Sequence, residues 1–158
     1  MRVPVRFGLV LGLLVVAWTF VMGFTGWYKD PGKVALFWLV IPLEIGLVVA
    51  ALWKTRREAG YGRQVGNGLV VCVVASVLIF AGSLAFTTLA FPEYFQEVEA
   101  AGRAMMAAKG VPPDQIEAAV KAQAPMNTPL MNALSGVIGT LATGLVVALL
   151  AAIGLRRK

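Results

Sequence analysis

Glu44 lies near the middle of an otherwise apolar run, Val34 to Trp53, and it is the strongest chemical signal in the chain. An acidic side chain at the centre of a membrane-spanning helix costs about 2.5 to 3.5 kcal/mol, and such acids mark ion and proton sites by default. The helical neighbours Val40, Ile41, Leu47 and Val48 are apolar, and the chain's four apolar runs hold no Lys, Arg or His to pair with the carboxyl. Away from any cation, an acid in a medium of low dielectric favours its neutral, protonated form. That form can donate to a hydroxyl or backbone carbonyl of a neighbouring helix, and Ser76, Ser83, Thr140 and Thr143 lie at comparable depth. Pro42 is expected to remove the hydrogen bond to the Trp38 carbonyl, kink the helix and leave an acceptor near the carboxyl. A buried acid beside a kink suits ion or proton handling. It also suits a simpler role as glue, bonded across a bundle or an oligomer interface.

The other chemical groups point away from catalysis. There is no histidine, which removes imidazole general bases, Ser-His triads and most zinc sites. Glu93 and Glu97 share a helix face, but two carboxylates fall short of the six to eight oxygens calcium takes, so they read as a solvated face. Cys72 is the only cysteine and reads as a small packing residue. The glycines of the basic connection from Lys54 to Asn67 follow no strand and lack the spacing of a phosphate-binding loop. No catalytic residue, metal or cofactor is expected.

The elements that must position Glu44 are helices in a bilayer. Of 158 residues, 59% are hydrophobic and 14% charged, against about 25% charged in soluble domains; the mean hydropathy is +0.80. Four spans follow, at about 7–28, 34–53, 68–91 and 130–155, each near the roughly 20 residues that cross a hydrocarbon core. Nothing alternates in polarity as a transmembrane barrel strand would. The first span is too long for a signal-peptide core and no small-x-small cleavage site follows it, so it reads as uncleaved.

Cytoplasmic connections retain Lys and Arg. With the N-terminus inside, that side holds Arg2, Arg6, Lys54, Arg56, Arg57, Arg63, Arg156, Arg157 and Lys158, against Lys29, Lys33, Arg103, Lys109 and Lys121 outside. This bias explains the net charge of +6 without nucleic acid. Lys54, Arg56, Arg57 and Arg63 can also touch anionic lipid headgroups. Lys29 to Lys33 is a tight turn in which Pro31 fixes φ, Gly32 permits positive φ, and Asp30 bonds nearby backbone.

Residues 92–129 form the one sizeable insertion, expected as a helical hairpin outside the membrane. Its first helix runs from Pro92 to a stop at Gly110 with Tyr94, Val98, Ala101 and Met105 on one face; its second runs from Pro113 to about Ala124. Asn127 or Thr128 can cap the last span, with Pro129 at its first position. Small residues at four-residue spacing mark packing seams. They are Gly8 and Gly12 in the first span and Gly68, Cys72 and Ser76 in the third. In the fourth they form two stripes, Gly136, Thr140, Gly144 and Ser135, Gly139, Thr143.

The pattern resembles a family of bacterial four-helix membrane proteins classed only as a domain of unknown function. The resemblance rests on the Tyr28-Lys29 turn, the basic stretch Lys54 to Arg57, and Phe91-Pro92-Glu93-Tyr94 opening the insertion. It continues through Gly110, Gln115-Ile116-Glu117 and Thr128-Pro129, covering nearly the whole chain. It implies fold and membrane location, and brings no activity, substrate or catalytic residue. The expected protein is an all-α, single-domain antiparallel bundle in a bacterial inner membrane, with both termini cytoplasmic. The expected role is a non-enzymatic structural or accessory subunit that associates with itself or a membrane partner. The alternative is a small oligomeric transporter or channel subunit that uses Glu44.

Overall fold

A computed structural model describes residues 3–57 and 59–155. Arg2, Arg156, Arg157 and Lys158 of the charge count lie outside the described residues. The described residues contain helices and no strand. Four are long and apolar enough to cross a membrane. They are α1 (Val3–Phe24), α2 (Val40–Thr55) with the 3₁₀ segment Val34–Leu39 that leads into it, α3 (Tyr61–Ala85) with the π-helical turn Phe86–Ala90, and α6 (Pro129–Leu155). Between the third and fourth spans lie α4 (Tyr94–Ala108) and α5 (Pro113–Gln123). The spans alternate in direction, and α3 is the central helix, packed on α1, α6 and α2.

Glycine makes the central packing possible. A Cβ on Gly8 would lie 2.6 Å from the Val71 carbonyl oxygen, and one on Gly12 would lie 2.8 Å from Leu78 Cβ. The paired glycines of α1 therefore seat its backbone directly on α3. On the other side of α3, Gly68 meets Ala148 and Gly144 meets Cys72. Apolar faces gain little from burial in lipid, so close backbone approach of this kind drives assembly.

The helix ends follow local chemistry. The Thr128 hydroxyl accepts the Met131 N–H at 3.2 Å, capping α6 with Pro129 in its first position. Gly110 adopts φ 77° after α4. The N–H of Val111 reaches the Met106 carbonyl and that of Gly110 reaches Ala107, a pair of bonds that closes a helix end. In the turn after α1, Asp30 Oδ1 accepts the Gly32 N–H at 2.8 Å, and that bond holds the Asp30 carboxyl below its ordinary range. Gly32 does not supply the positive φ expected of it. Gly26 does, at φ 69°, because the chain leaves α1 earlier and winds Trp27–Lys29 as a 3₁₀ turn.

Two further expectations change. Pro42 does not kink the middle of a helix. It falls in the first turn of α2, directly after the 3₁₀ segment Val34–Leu39. The chain meets the proline by tightening into six 3₁₀ residues before it, a long run for that helix type. The Trp38 carbonyl expected to be left free accepts the Val40 N–H, and the Trp18 indole donates to the Leu36 carbonyl at 3.1 Å. The basic connection is also shorter than expected: α3 starts at Tyr61, so Gly62, Arg63, Gly66 and Asn67 are helical.

Candidate functional site

Glu44 lies on the inner face of α2 with 3% of its surface exposed. Its side chain points to the seam between α3 and α6. A Cβ on Gly144 of α6 would strike Cys72 Sγ of α3 and lie 3.4 Å from Glu44 Oε1. The carboxyl therefore rests over a glycine, beside the cysteine. One turn along α3 from Cys72 lies Ser76, and one turn along α6 from Gly144 lies Thr140; both are buried.

The expected hydrogen bonds are not made. Glu44 Oε1 is buried without a partner, and so is Ser76 Oγ. Ser83 is engaged elsewhere, accepting from Asn132 Nδ2 at 2.9 Å. It stands seven residues beyond Ser76 in the sequence, about 10 Å along the helix axis at 1.5 Å per residue. Thr143 lies on the neighbouring, outer stripe of α6, half-buried. The structure thus brings Glu44, Cys72 and Gly144 together, with Ser76 and Thr140 on the adjoining turns; Ser83 and Thr143 stand apart from that group.

The glycine stripes divide. Gly8 and Gly12 face α3, Gly136 approaches Ile79, and Gly144 lies under Glu44. Gly139 of the outer stripe has open space where a Cβ would stand, and Ser135 is exposed. Among the basic residues, Lys54 Nζ lies 5.4 Å from the centre of the Phe7 ring and Arg56 stacks on Trp53 at 3.5 Å. Arg57 and Arg63 are exposed. No group of three potential metal ligands occurs among the described residues.

Sequence reasoning missed how the hairpin is held. The Tyr28 hydroxyl donates to Glu97 Oε2, and Lys29 Nζ donates to Glu97 Oε1 at 2.6 Å. Behind this pair, Tyr28, Phe86, Phe91 and Tyr94 stack with ring centres 4.7 to 6.4 Å apart. Arg103 of α4 pairs with Glu117 of α5 and closes the hairpin. The aromatic residues on both sides of Pro92 were the available signal. A second missed pair lies at the basic end, where the Thr55 hydroxyl donates to Gln64 Oε1 at 3.1 Å.

The docking contact titrates. Lys29 first, then Tyr28, hold the Glu97 carboxyl below its ordinary value of 4.5. The bond to Glu97 holds the Lys29 ammonium above its ordinary value. Burial, then the bond to Glu97, raises Tyr28. A depressed carboxyl contributes stability that is full above 4.5 and lost as pH falls through its folded value. The raised Lys29 and Tyr28 act at the other limit, losing their contribution as pH rises through theirs. Glu97→Gln is expected to weaken docking by about 1 kcal/mol or less, since the pair is part-exposed. The distance between spin labels on α4 and on the last turn of α1 should lengthen in part of the population below pH 4.5. Glu97→Gln should lack that pH dependence.

No curated protein and no solved structure matches this chain. A family model does, over residues 6–157. With a four-span helical bundle and an inserted hairpin, the chain belongs to the family described as "Protein of unknown function (DUF4199)".

Proposed function

We propose that this is a non-enzymatic, multi-pass protein of a bacterial inner membrane that takes up and releases a proton at Glu44, as a small transporter or channel subunit. The observation that carries the proposal is a carboxyl oxygen, Glu44 Oε1, buried at the meeting of three spans with no hydrogen-bond partner. A carboxyl kept as interhelical glue needs a bond to another helix, and its stability contribution comes from that bond. Here no protein group makes that bond, and a titrating role accounts for keeping the acid.

The charge distribution supports both termini cytoplasmic and the hairpin outside. Among the described residues, Arg6, Lys54, Arg56, Arg57 and Arg63 gather at the end away from the hairpin. At that end Arg57 and Arg63 suit anionic headgroups. Association with a second copy or a membrane partner belongs to the same proposal, because four helices enclose too little space for a pathway. Gly139 of the outer stripe, left uncovered by the chain's own bundle, supports it.

The test is proton flux in proteoliposomes under an imposed pH gradient. Glu44→Gln keeps the shape and assembly and removes the titrating group, so it is expected to abolish the flux shown by the native protein. Equal flux in both would remove Glu44 from the function.

A further inference from the structure

We infer that water, and with it the proton, reaches Glu44 only from the hairpin end of the bundle, through a cleft with polar groups in its wall that ends at Val40, Ile79 and Gly136, with Ser76 and Thr140 between it and the carboxyl. This rests on the reading of Glu44 as the working group. Towards the hairpin end, α1, the 3₁₀ segment, α3 and α6 part around a cavity of about 270 Å³, room for several waters at about 30 Å³ each. Thr19, Ser83, Tyr94, Asn132 and Ser135 supply polar groups to its wall. Apolar voids stay dry, whereas cavities with several polar partners hold water.

The floor of the cleft includes Val40, Ile79 and Gly136. Val40 precedes Glu44 by one turn of α2, Gly136 precedes Thr140 by one turn of α6, and Ile79 follows Ser76 by nearly one turn of α3. The cleft therefore ends about one turn above Ser76 and Thr140, which lie between it and the level of Glu44, Cys72 and Gly144. Among the described residues, Glu44 Oε1 and Ser76 Oγ are the buried side-chain oxygens that no protein group satisfies. Buried groups of this kind are the ones ordered water serves.

On the other side the way is closed. Val48, Ala51, Leu52, Val71 and Ala148 are fully buried and wholly apolar. They fill the turns between the carboxyl and the Thr55–Gln64 pair at the basic end and form an apolar plug there. Cys72 is the one other titratable side chain beside the carboxyl. Neither α1 between Phe7 and Phe24 nor α6 contributes any, so nothing else competes for a proton that arrives. The arrangement is a one-sided proton well, open to the hairpin side and sealed toward the basic side.

Cysteine accessibility tests this in sealed vesicles of known orientation, using a small, charged, membrane-impermeant methanethiosulfonate on full-length protein with Cys72→Ala. Thr19→Cys and Ser83→Cys probe the cleft, Val48→Cys probes the plug, and Lys109→Cys on the hairpin reports which face is outward. Only the thiolate reacts, and it forms where water reaches, so both cleft cysteines should react from the hairpin side at least about tenfold faster than Val48→Cys. They should react no faster than Val48→Cys from the basic side. Cleft cysteines as slow as Val48→Cys from the hairpin side, or labelled equally from both sides, would overturn the inference. One-sided labelling combined with unchanged flux in Glu44→Gln would uphold the well and refute the transport reading.

Discussion

Isoleucine at both Gly8 and Gly12 is expected to prevent α1 from docking and to collapse the bundle's resistance to denaturing detergent. At Gly8 the obstacle is backbone, the Val71 carbonyl oxygen, which no rotamer change can move. At Gly12 it is Leu78 Cβ, with the Ala75 carbonyl at 3.1 Å. Overpacking costs about 1 to 3 kcal/mol per site and more where the backbone must shift, and two sites one turn apart displace the same helix. Gly46→Ile is the control, because nothing stands within 4 Å of a Cβ there. Circular dichroism through a titration of dodecyl sulfate should show the double variant unfolding well before the native protein and Gly46→Ile unfolding with it. Coincident curves for all three would show that the α1–α3 seam does not hold the bundle.

Much of this architecture is legible in the residues. Four apolar runs of spanning length leave a helical bundle as the one solution for backbone polar groups in lipid. Pro113, Gly110, Thr128 and Pro129 mark helix ends because each does local work that no distant contact alters. The glycines at four-residue spacing announce close approach, although spacing alone does not say which stripe faces in. The neighbours do, placing Gly144 over Cys72 and leaving Gly139 open.

What the residues hide is long-range or depends on small shifts of helical winding. Tyr28 and Glu97 are 69 residues apart, and each reads locally as an ordinary interfacial tyrosine and a solvated acid. The 3₁₀ segment before Pro42 and the π-helical turn at Phe86–Ala90 change which side chains point inward, and neither has a composition of its own. For Glu44, depth and lack of a cation are legible, while the absence of a bonding partner is not. Hydroxyls at Ser76, Ser83, Thr140 and Thr143 all lie within plausible reach by sequence. Only the fold shows Ser83 spent on Asn132 and Ser76 left without a partner.

Replacing Glu44 by leucine is expected to make the bundle more stable. The native carboxyl is buried with an oxygen that no protein group bonds, and burying such a group costs about 1 to 3 kcal/mol. Leucine has similar bulk and removes that cost. Stability gained at a site while function is lost is the mark of a residue kept for what it does. The measurement that bears most directly on this account is therefore reversible unfolding of the native protein and Glu44→Leu side by side in the same bicelles. Glu44→Leu is expected to unfold later, by about 1 to 3 kcal/mol. A variant that unfolds earlier than the native protein would mean that Glu44 is bonded glue after all, and would contradict the account at its centre.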